Sequence, residues 1–417
     1  MPTTLRFEEA VPELYTLSNG IRVIHRPCTG QVSCCGYVVD AGSRHELPNE
    51  SGLAHFTEHM LFKGTTHRKP HHILNRMESV GGELNAYTTK EETFVYSVFL
   101  EKDYVRALEL LTDLFFNSTF KDDEIEKERL VILDEINSYE DNPSELIYDE
   151  FEDILFEHHP IGRKILGSPE SLNGFNQHSF LDFHKRHYRT ENIVFFTQSP
   201  IPFKKLKGII ERIVGGVEPS AGKSDVVKTV PKPLLGLKKT IDKSTHQAHV
   251  LLGTKNFDFN DRKRVGMYLL NNLLGGPGMN SRLNLALRER AGLVYSVESN
   301  VTSYSDSGVF SIYFGTDPNQ LERCLKLVDK ELKRLRDVPL TGLQLHSAQQ
   351  QLFGQMIISS EHKENTALAM GKSMLHFNRF DSLDLVAQKI LSFSALELQE
   401  IANEIFEPKT MNLLIYK

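Results

Sequence analysis

The sequence has neither a surplus of basic residues nor a long apolar run. Its 48 lysines and arginines are outnumbered by 55 aspartates and glutamates, which gives a net charge of −7. A chain with this balance lacks the dominant basic face that nucleic-acid binding requires. No apolar run is long enough to cross a bilayer, so a membrane span is not expected either. The composition therefore indicates partners other than nucleic acid or membranes.

Cysteines and targeting signals are scarce as well. The four cysteines lack the C-x-x-C spacing of a zinc or redox site, and they are too few for a disulfide scaffold. Residues 1–9 are polar and acidic, without the apolar core of a secretory signal or the arginine-rich character of a transit peptide. We therefore expect reduced thiols and a cytoplasmic protein.

The length of 417 residues exceeds a typical single core and favours two or three domains. Residues 216–236 are rich in glycine, proline and serine, a composition typical of a linker. We place the boundary there, which predicts an N-terminal domain over residues 1–215 and a C-terminal domain over residues 237–417.

The two halves share a pattern that predicts an α+β fold built by duplication. In the first half, residues 83–89 are followed by the apolar run 93–100, which reads as a buried strand, and then by an amphipathic segment at 104–114. In the second half, residues 295–301 and 310–314 precede a similar segment at 321–335. The economical interpretation is two related α+β units.

The motif that carries chemistry is His55-Phe-Thr-Glu58-His59. On a helix, histidines at i and i+4 lie on one face, so both imidazoles can reach one metal ion. Glu58 is near that face and could act on a water molecule beside the ion without being a ligand. This is the H-x-x-E-H order of inverzincins. An ordinary helix with two surface histidines near a glutamate would show the same pentapeptide.

A catalytic zinc ion needs a third protein ligand. Residues 122–139 predict a second helix with acidic residues in its first turn. It carries three candidate carboxylates, Glu128, Asp134 and Glu135. Helical spacing lets Glu128 and Glu135 share a face and turns Asp134 about 100° away from Glu135. The residues alone leave the choice among them open.

The run His55-Phe-Thr-Glu-His-Met-Leu-Phe-Lys-Gly-Thr65 resembles the signature of the pitrilysin/insulysin/mitochondrial-processing-peptidase family of zinc peptidases. The resemblance implies that Zn²⁺ is bound by His55, His59 and Glu135, which follows His59 by 76 residues. It also implies that Glu58 is the general base and that Glu128 supports the ligands from behind.

A second segment, residues 81–88, resembles the family's edge strand beside the zinc ion, to which substrate adds as a further strand. The resemblance implies that substrate is bound by six residues, Gly82, Glu83, Leu84, Asn85, Ala86 and Thr88. Without it, the same segment would read as a glycine turn that leads into an ordinary strand.

In the second half, the segment from Arg288 to Tyr295 resembles the family's arginine and tyrosine pair. The resemblance implies that Tyr295 stabilises the oxyanion and that Arg288 holds substrate carbonyls. Taken alone, the segment reads as a charged helix that ends at Gly292. The loop Gly275–Gly278 resembles a glycine-rich loop of the same half; no G-K-[ST] follows it, so it is not a phosphate loop.

The resemblance further implies two sandwich domains, each with a mixed, mainly antiparallel sheet and helices packed on one face. Small members of the family form dimers around a closed chamber. Because both motif sets occur in one chain, we expect a homodimer, or alternatively a heterodimer with a paralogue. The predicted function is a zinc metalloendopeptidase that hydrolyses unfolded peptides. The alternatives are a catalytically silent assembly subunit and a zinc hydrolase of non-peptide amides, which a strand suited to main-chain pairing argues against.

Overall fold

The computed structural model describes residues 10–220 and 229–417. In chain order its strands are β1 (Glu13–Thr16), β2 (Arg22–Pro27), β3 (Val32–Val39), β4 (Glu83–Thr88), β5 (Thr93–Leu100), β6 (Ile193–Ser199), β7 (Lys238–Ile241), β8 (Ala248–Lys255), β9 (Val294–Ser303), β10 (Gly308–Thr316) and β11 (Asn412–Tyr416).

The helices of the first half are α1 (Leu53–Leu61), α2 (Pro70–Glu78), α3 (Tyr104–Asn117), α4 (Asp122–Glu140), α5 (Pro143–Leu155), α6 (Pro169–Asn173), α7 (Gln177–His187) and α8 (Phe203–Ile213). Those of the second half are α9 (Lys263–Gly275), α10 (Leu321–Asp337), α11 (Gly342–Ser360), α12 (Lys363–Phe377), α13 (Leu383–Leu391) and α14 (Ala395–Ile405).

The first sheet has the strand order β1-β2-β6-β3-β5-β4, in which β2 and β6 run parallel and the other neighbours run antiparallel. The dipeptide Asn19-Gly20, which is typical of hairpin turns, joins β1 to its antiparallel neighbour β2. Gly20 has a φ of +93°, a left-handed conformation that glycine adopts at no steric cost. Strand β4 lies at one edge of this sheet, and β1 lies at the other.

Both faces of the first sheet are apolar, because successive strand residues point to opposite sides. In β3, Tyr37 and Val39 pack into the core that contains α3, whereas Cys34 and Val38 pack into a second core with α12. Residues buried in this second core include Met370 and Met374 of α12. Most helices therefore lie on one face, as expected, and one helix from late in the chain covers the other.

The second sheet repeats this plan, with the order β7-β11-β8-β10-β9 and a parallel pair at β7 and β11. The edge pairs β4–β5 and β9–β10 correspond, which agrees with the duplication predicted from the sequence. One face packs against α9, α10 and α14, and the other packs against α5. Gly253 in β8 lets α5 approach, because a Cβ there would lie 2.9 Å from the Phe151 ring. The α+β class and the mixed, mainly antiparallel sheets are confirmed.

Of the described residues, one compact unit holds 10–136, 163–220 and 358–383, and the other holds 137–162, 229–357 and 384–417. These units differ from the predicted division at two points: α5 packs with the second sheet, and α12 packs with the first. A sheet with two apolar faces needs helices on both, and the second cover comes from a segment distant in sequence. The described parts of the predicted linker 216–236 contain no helix or strand, and residues 221–228 lie outside the described residues.

No helix in the described ranges, 10–220 and 229–417, is both long and apolar enough to span a bilayer. The four cysteines are free thiols, and three of them are buried.

A buried carboxylate between the first sheet and α12 predicts a pH-dependent stability. Glu92 is 2% exposed, bonds to Lys372 and accepts from His376 at 3.2 Å. Burial alone would raise the pKa of Glu92, but these two partners lower it from 4.5 to about 2. Because the folded pKa is lowered, the stabilisation is complete above about pH 4.5 and is lost as the pH falls towards 2. The contribution is about 3 kcal/mol.

We expect Glu92→Gln to unfold at lower denaturant concentration than the wild type near neutral pH. The difference in unfolding free energy between the two proteins should shrink as the pH falls from 4.5 to about 2. Denaturant titrations at several pH values measure it. A difference that stays constant over this interval would show that the carboxylate charge does not stabilise the fold.

Candidate metal centre

Helix α1 presents the His55, Glu58 and His59 motif and is held at its N-terminus by a buried carboxylate. Glu46 accepts hydrogen bonds from the backbone N–H groups of Gly52 at 3.2 Å and Ala54 at 2.8 Å. These are donors that the first turn of a helix leaves without partners. Gly52 precedes the helix with a φ of +92°. This capping role of Glu46 has no signature in the sequence motif.

Three donor groups converge above α1. The Nε2 atom of His55 lies 3.8 Å from Oε1 of Glu135, and Nε2 of His59 lies 3.6 Å from Oε2 of Glu135. One ligand atom from each residue lies within 4.8 Å of the other two, which is close enough for all three to hold one ion. Two imidazoles and one carboxylate form a donor set typical of catalytic zinc, which leaves a further position open.

Glu135 comes from α4, whose orientation follows from a buried apolar side. Ile125, Ile132 and Ile136 pack in the core of the first unit. The Arg129 side chain also fixes the helix by donating to backbone carbonyls of Leu172 and Phe175. The helix predicted over 122–139 is thereby confirmed, with its end at Glu140.

Glu128 occupies a different place from Glu135, although the two share one side of α4. Its carboxylate is 2.9 Å from Nδ1 of His59 and also bonds to Lys63. A carboxylate on Nδ1 keeps the hydrogen there and leaves Nε2 free to face Glu135. Burial raises the pKa of Glu128, but His59 and Lys63 outweigh it and lower the pKa. Lys63 follows His59 by one turn, and this spacing could have indicated that Lys63 also contacts Glu128.

The Glu58 carboxylate lies beside the donors and outside the group of three. It is 8% exposed, and Thr88 Oγ1 donates a hydrogen bond of 2.6 Å to its Oε2 atom. Burial raises the pKa of Glu58, and the Thr88 hydrogen bond opposes that shift. A carboxyl group held in this way can exchange a proton with a neighbouring water molecule.

The segment predicted to bind substrate forms β4 and the residue before it. Its outer edge has no strand neighbour in the described sheet, so its free backbone groups could pair with an extended peptide. The Leu84 and Ala86 side chains pack against the core, Asn85 is half-buried and Glu83 is exposed. Gly82 is buried just ahead of the strand. The remaining member, Thr88, bonds to Glu58.

The candidates of the second half belong to the other compact unit. Arg288 lies in a π-helical segment, Asn284–Glu289, and its guanidinium is 5.8 Å from the centre of the Tyr295 ring. Tyr295 is 85% exposed on β9, an edge strand. Gly292 has a φ of +60°, which suits the predicted end of a helical segment. Gly275 ends α9, and Gly276 and Gly278 line a cleft with Arg288.

Comparisons with known proteins agree with this fold. Residues 22–169 match the model of the insulinase family, peptidase family M16, and residues 174–352 match the peptidase M16 inactive domain. An uncharacterized zinc protease of Bacillus subtilis, YmxG, is 33% identical over 94% of this chain and 95% of its own length. An uncharacterized zinc protease of Rickettsia bellii is 31% identical over 96% of each chain.

Solved structures show the same architecture. The crystal structure of a protease from Helicobacter pylori superposes with a TM-score of 0.92 at 24% identity, over 98% of this chain and all of that one. The resemblance read from the motif around His55 is thus confirmed by matches that span both halves of the sequence. The chain belongs to the insulinase family of peptidases, family M16.

Proposed function

We propose that the protein is a zinc-dependent endopeptidase that hydrolyses extended, unfolded peptides. The observation that carries this proposal is the convergence of His55, His59 and Glu135, whose ligand atoms lie within 4.8 Å of one another, with the Glu58 carboxylate beside them. All three donors fall in residues 22–169, the part that matches the peptidase model rather than the inactive-domain model.

The donor set fits zinc. Neutral imidazole nitrogens and a carboxylate oxygen are usual zinc ligands, and Glu128 fixes the His59 tautomer that such a site needs. Burial lowers the pKa of His55 to about 3, so its imidazole is neutral at physiological pH. The relatives described as zinc proteases support the same metal. When bound, zinc polarises the scissile carbonyl and makes water more acidic.

Residues of this chain carry out the other parts of the reaction. Glu58 takes a proton from the attacking water at a carboxylate oxygen and returns it to the leaving amine nitrogen. The free edge of β4 pairs with the substrate backbone, which gives affinity with little demand on sequence. The roles of Tyr295 as oxyanion donor and of Arg288 in holding substrate carbonyls stay predictions, as do the homodimer and the cytoplasmic location.

A digest of an unstructured peptide with and without a chelator tests the proposal. We expect cleavage by the zinc-loaded protein, loss of cleavage after chelation, and recovery when zinc is added back. His71→Ala, at an exposed histidine on α2, is the matched control and should cleave like the wild type. Cleavage that continues in the presence of the chelator would refute the proposed activity. A lack of cleavage by the zinc-loaded protein would refute it as well.

A further inference from the structure

Two facing threonines lie between the carboxylate of Glu58 and the backbone carbonyl of Ala41. Thr88 at the end of β4 stands opposite Thr93 at the start of β5. The Thr88 hydroxyl donates to Glu58 at 2.6 Å, and its oxygen lies 3.3 Å from that of Thr93. The Thr93 hydroxyl in turn donates to the Ala41 carbonyl at 2.7 Å.

The direction of these bonds follows from counting hydrogens. Each hydroxyl has one hydrogen to donate, and an ionised carboxylate can only accept. Thr93 uses its hydrogen on Ala41, so it has none for Thr88. Thr88 can give its own hydrogen to Glu58 or to Thr93, and its oxygen lies 2.6 Å from the Glu58 carboxylate but 3.3 Å from Thr93. The hydroxyl of Thr88 is therefore committed to Glu58.

Thr88 is also more rigid than the residue it holds. Its backbone is fixed by pairing with β5, and its branched Cβ restricts rotation about χ1. Glu58 has a longer side chain with more rotatable bonds. Among the described residues, only Thr88 donates a hydrogen bond to the Glu58 carboxylate. Loss of that hydroxyl would remove this hydrogen bond and allow the carboxylate to move away from its position.

We propose that Thr88 is a positioning residue that aims the Glu58 carboxylate at the reacting water. The inference rests on the proposed peptidase function and adds a residue to its machinery. It differs from the expectation drawn from the sequence, in which Thr88 binds substrate. The two roles predict different kinetics, because a substrate contact acts mainly on KM and a misplaced general base acts on kcat.

Three variants separate these roles. Thr88→Val keeps the branched shape and removes the hydroxyl, so we expect kcat to fall by between about 10- and 100-fold with KM little changed. Thr88→Ser restores the hydroxyl and should recover most of the activity. Thr16→Val is the matched control, because Thr16 is an exposed threonine on β1 at the opposite edge of the same sheet. Zinc content and melting temperature should match the wild type in all three.

Crystal structures of the wild type and Thr88→Val supply a readout that does not depend on turnover. We expect the Glu58 carboxylate to leave its wild-type position in Thr88→Val and to keep it in Thr88→Ser. An unmoved carboxylate, an unchanged kcat, or a rise in KM alone would overturn the positioning role even if the wild type is an active zinc peptidase. An inactive wild type would instead refute the proposed function, whereas the crystal structures would still decide whether Thr88 orients Glu58.

Discussion

Glu58→Gln is expected to slow peptide hydrolysis by at least about 100-fold while the protein keeps its zinc and its fold. Glutamine has the shape of glutamate, and its amide oxygen can still accept the hydrogen bond from Thr88. It cannot take a proton from water. General acid–base catalysis contributes about 10²- to 10⁴-fold in rate, so kcat should fall by that factor. Initial rates on an unstructured peptide, with zinc analysis and a melting curve on the same samples, measure the effect.

A second glutamate gives the control for this substitution. Glu78 is exposed at the end of α2, and Glu78→Gln should leave both kcat and zinc content unchanged. If Glu58→Gln cleaved the peptide at the wild-type rate, Glu58 would not be the base. If it lost zinc, the loss of activity would reflect a damaged metal centre rather than a missing proton acceptor.

Glu135→Ala is expected to remove zinc from the protein. The substitution deletes the carboxylate that faces Nε2 of both His55 and His59, and it leaves two ligands where catalytic zinc has three. The zinc content of protein dialysed against metal-free buffer should fall from one ion per chain towards none. Metal analysis of the dialysed samples provides the measurement, and peptidase activity should fall with it.

The other two candidate ligands on α4 serve as a graded comparison. Glu128 contacts Nδ1 of His59 rather than the shared position, so Glu128→Gln should retain a site that binds zinc about 10- to 100-fold more weakly. Asp134 is exposed and outside the donor group, so Asp134→Asn should bind zinc like the wild type. Normal zinc content in Glu135→Ala together with its loss in Glu128→Gln would reassign the third ligand.

Much of the local structure could be predicted because it depends on neighbours in sequence. The Asn19-Gly20 turn, the strand over 93–100 and the helix that begins at Asp122 all appear where their patterns place them. These features follow from turn chemistry, side-chain alternation and helical periodicity. The exchange of α5 and α12 between the compact units could not be found in this way, because no local pattern states which sheet a helix will cover.

The metal centre likewise has one part that the sequence predicts and another that it does not. By itself, the sequence determined that His55, Glu58 and His59 lie together, because the pitch of one helix fixes their spacing. It also restricted the third ligand to a few carboxylates, and the family resemblance chose among them.

Only the tertiary structure placed Glu135 in front of the two imidazoles and Glu128 behind His59. It alone showed that the Thr88 hydroxyl donates to Glu58 and does not belong to the outer edge of β4. The reason is physical: these contacts join segments about 30 to 80 residues apart in sequence, and their distances depend on how helices and strands pack rather than on any repeat along the chain.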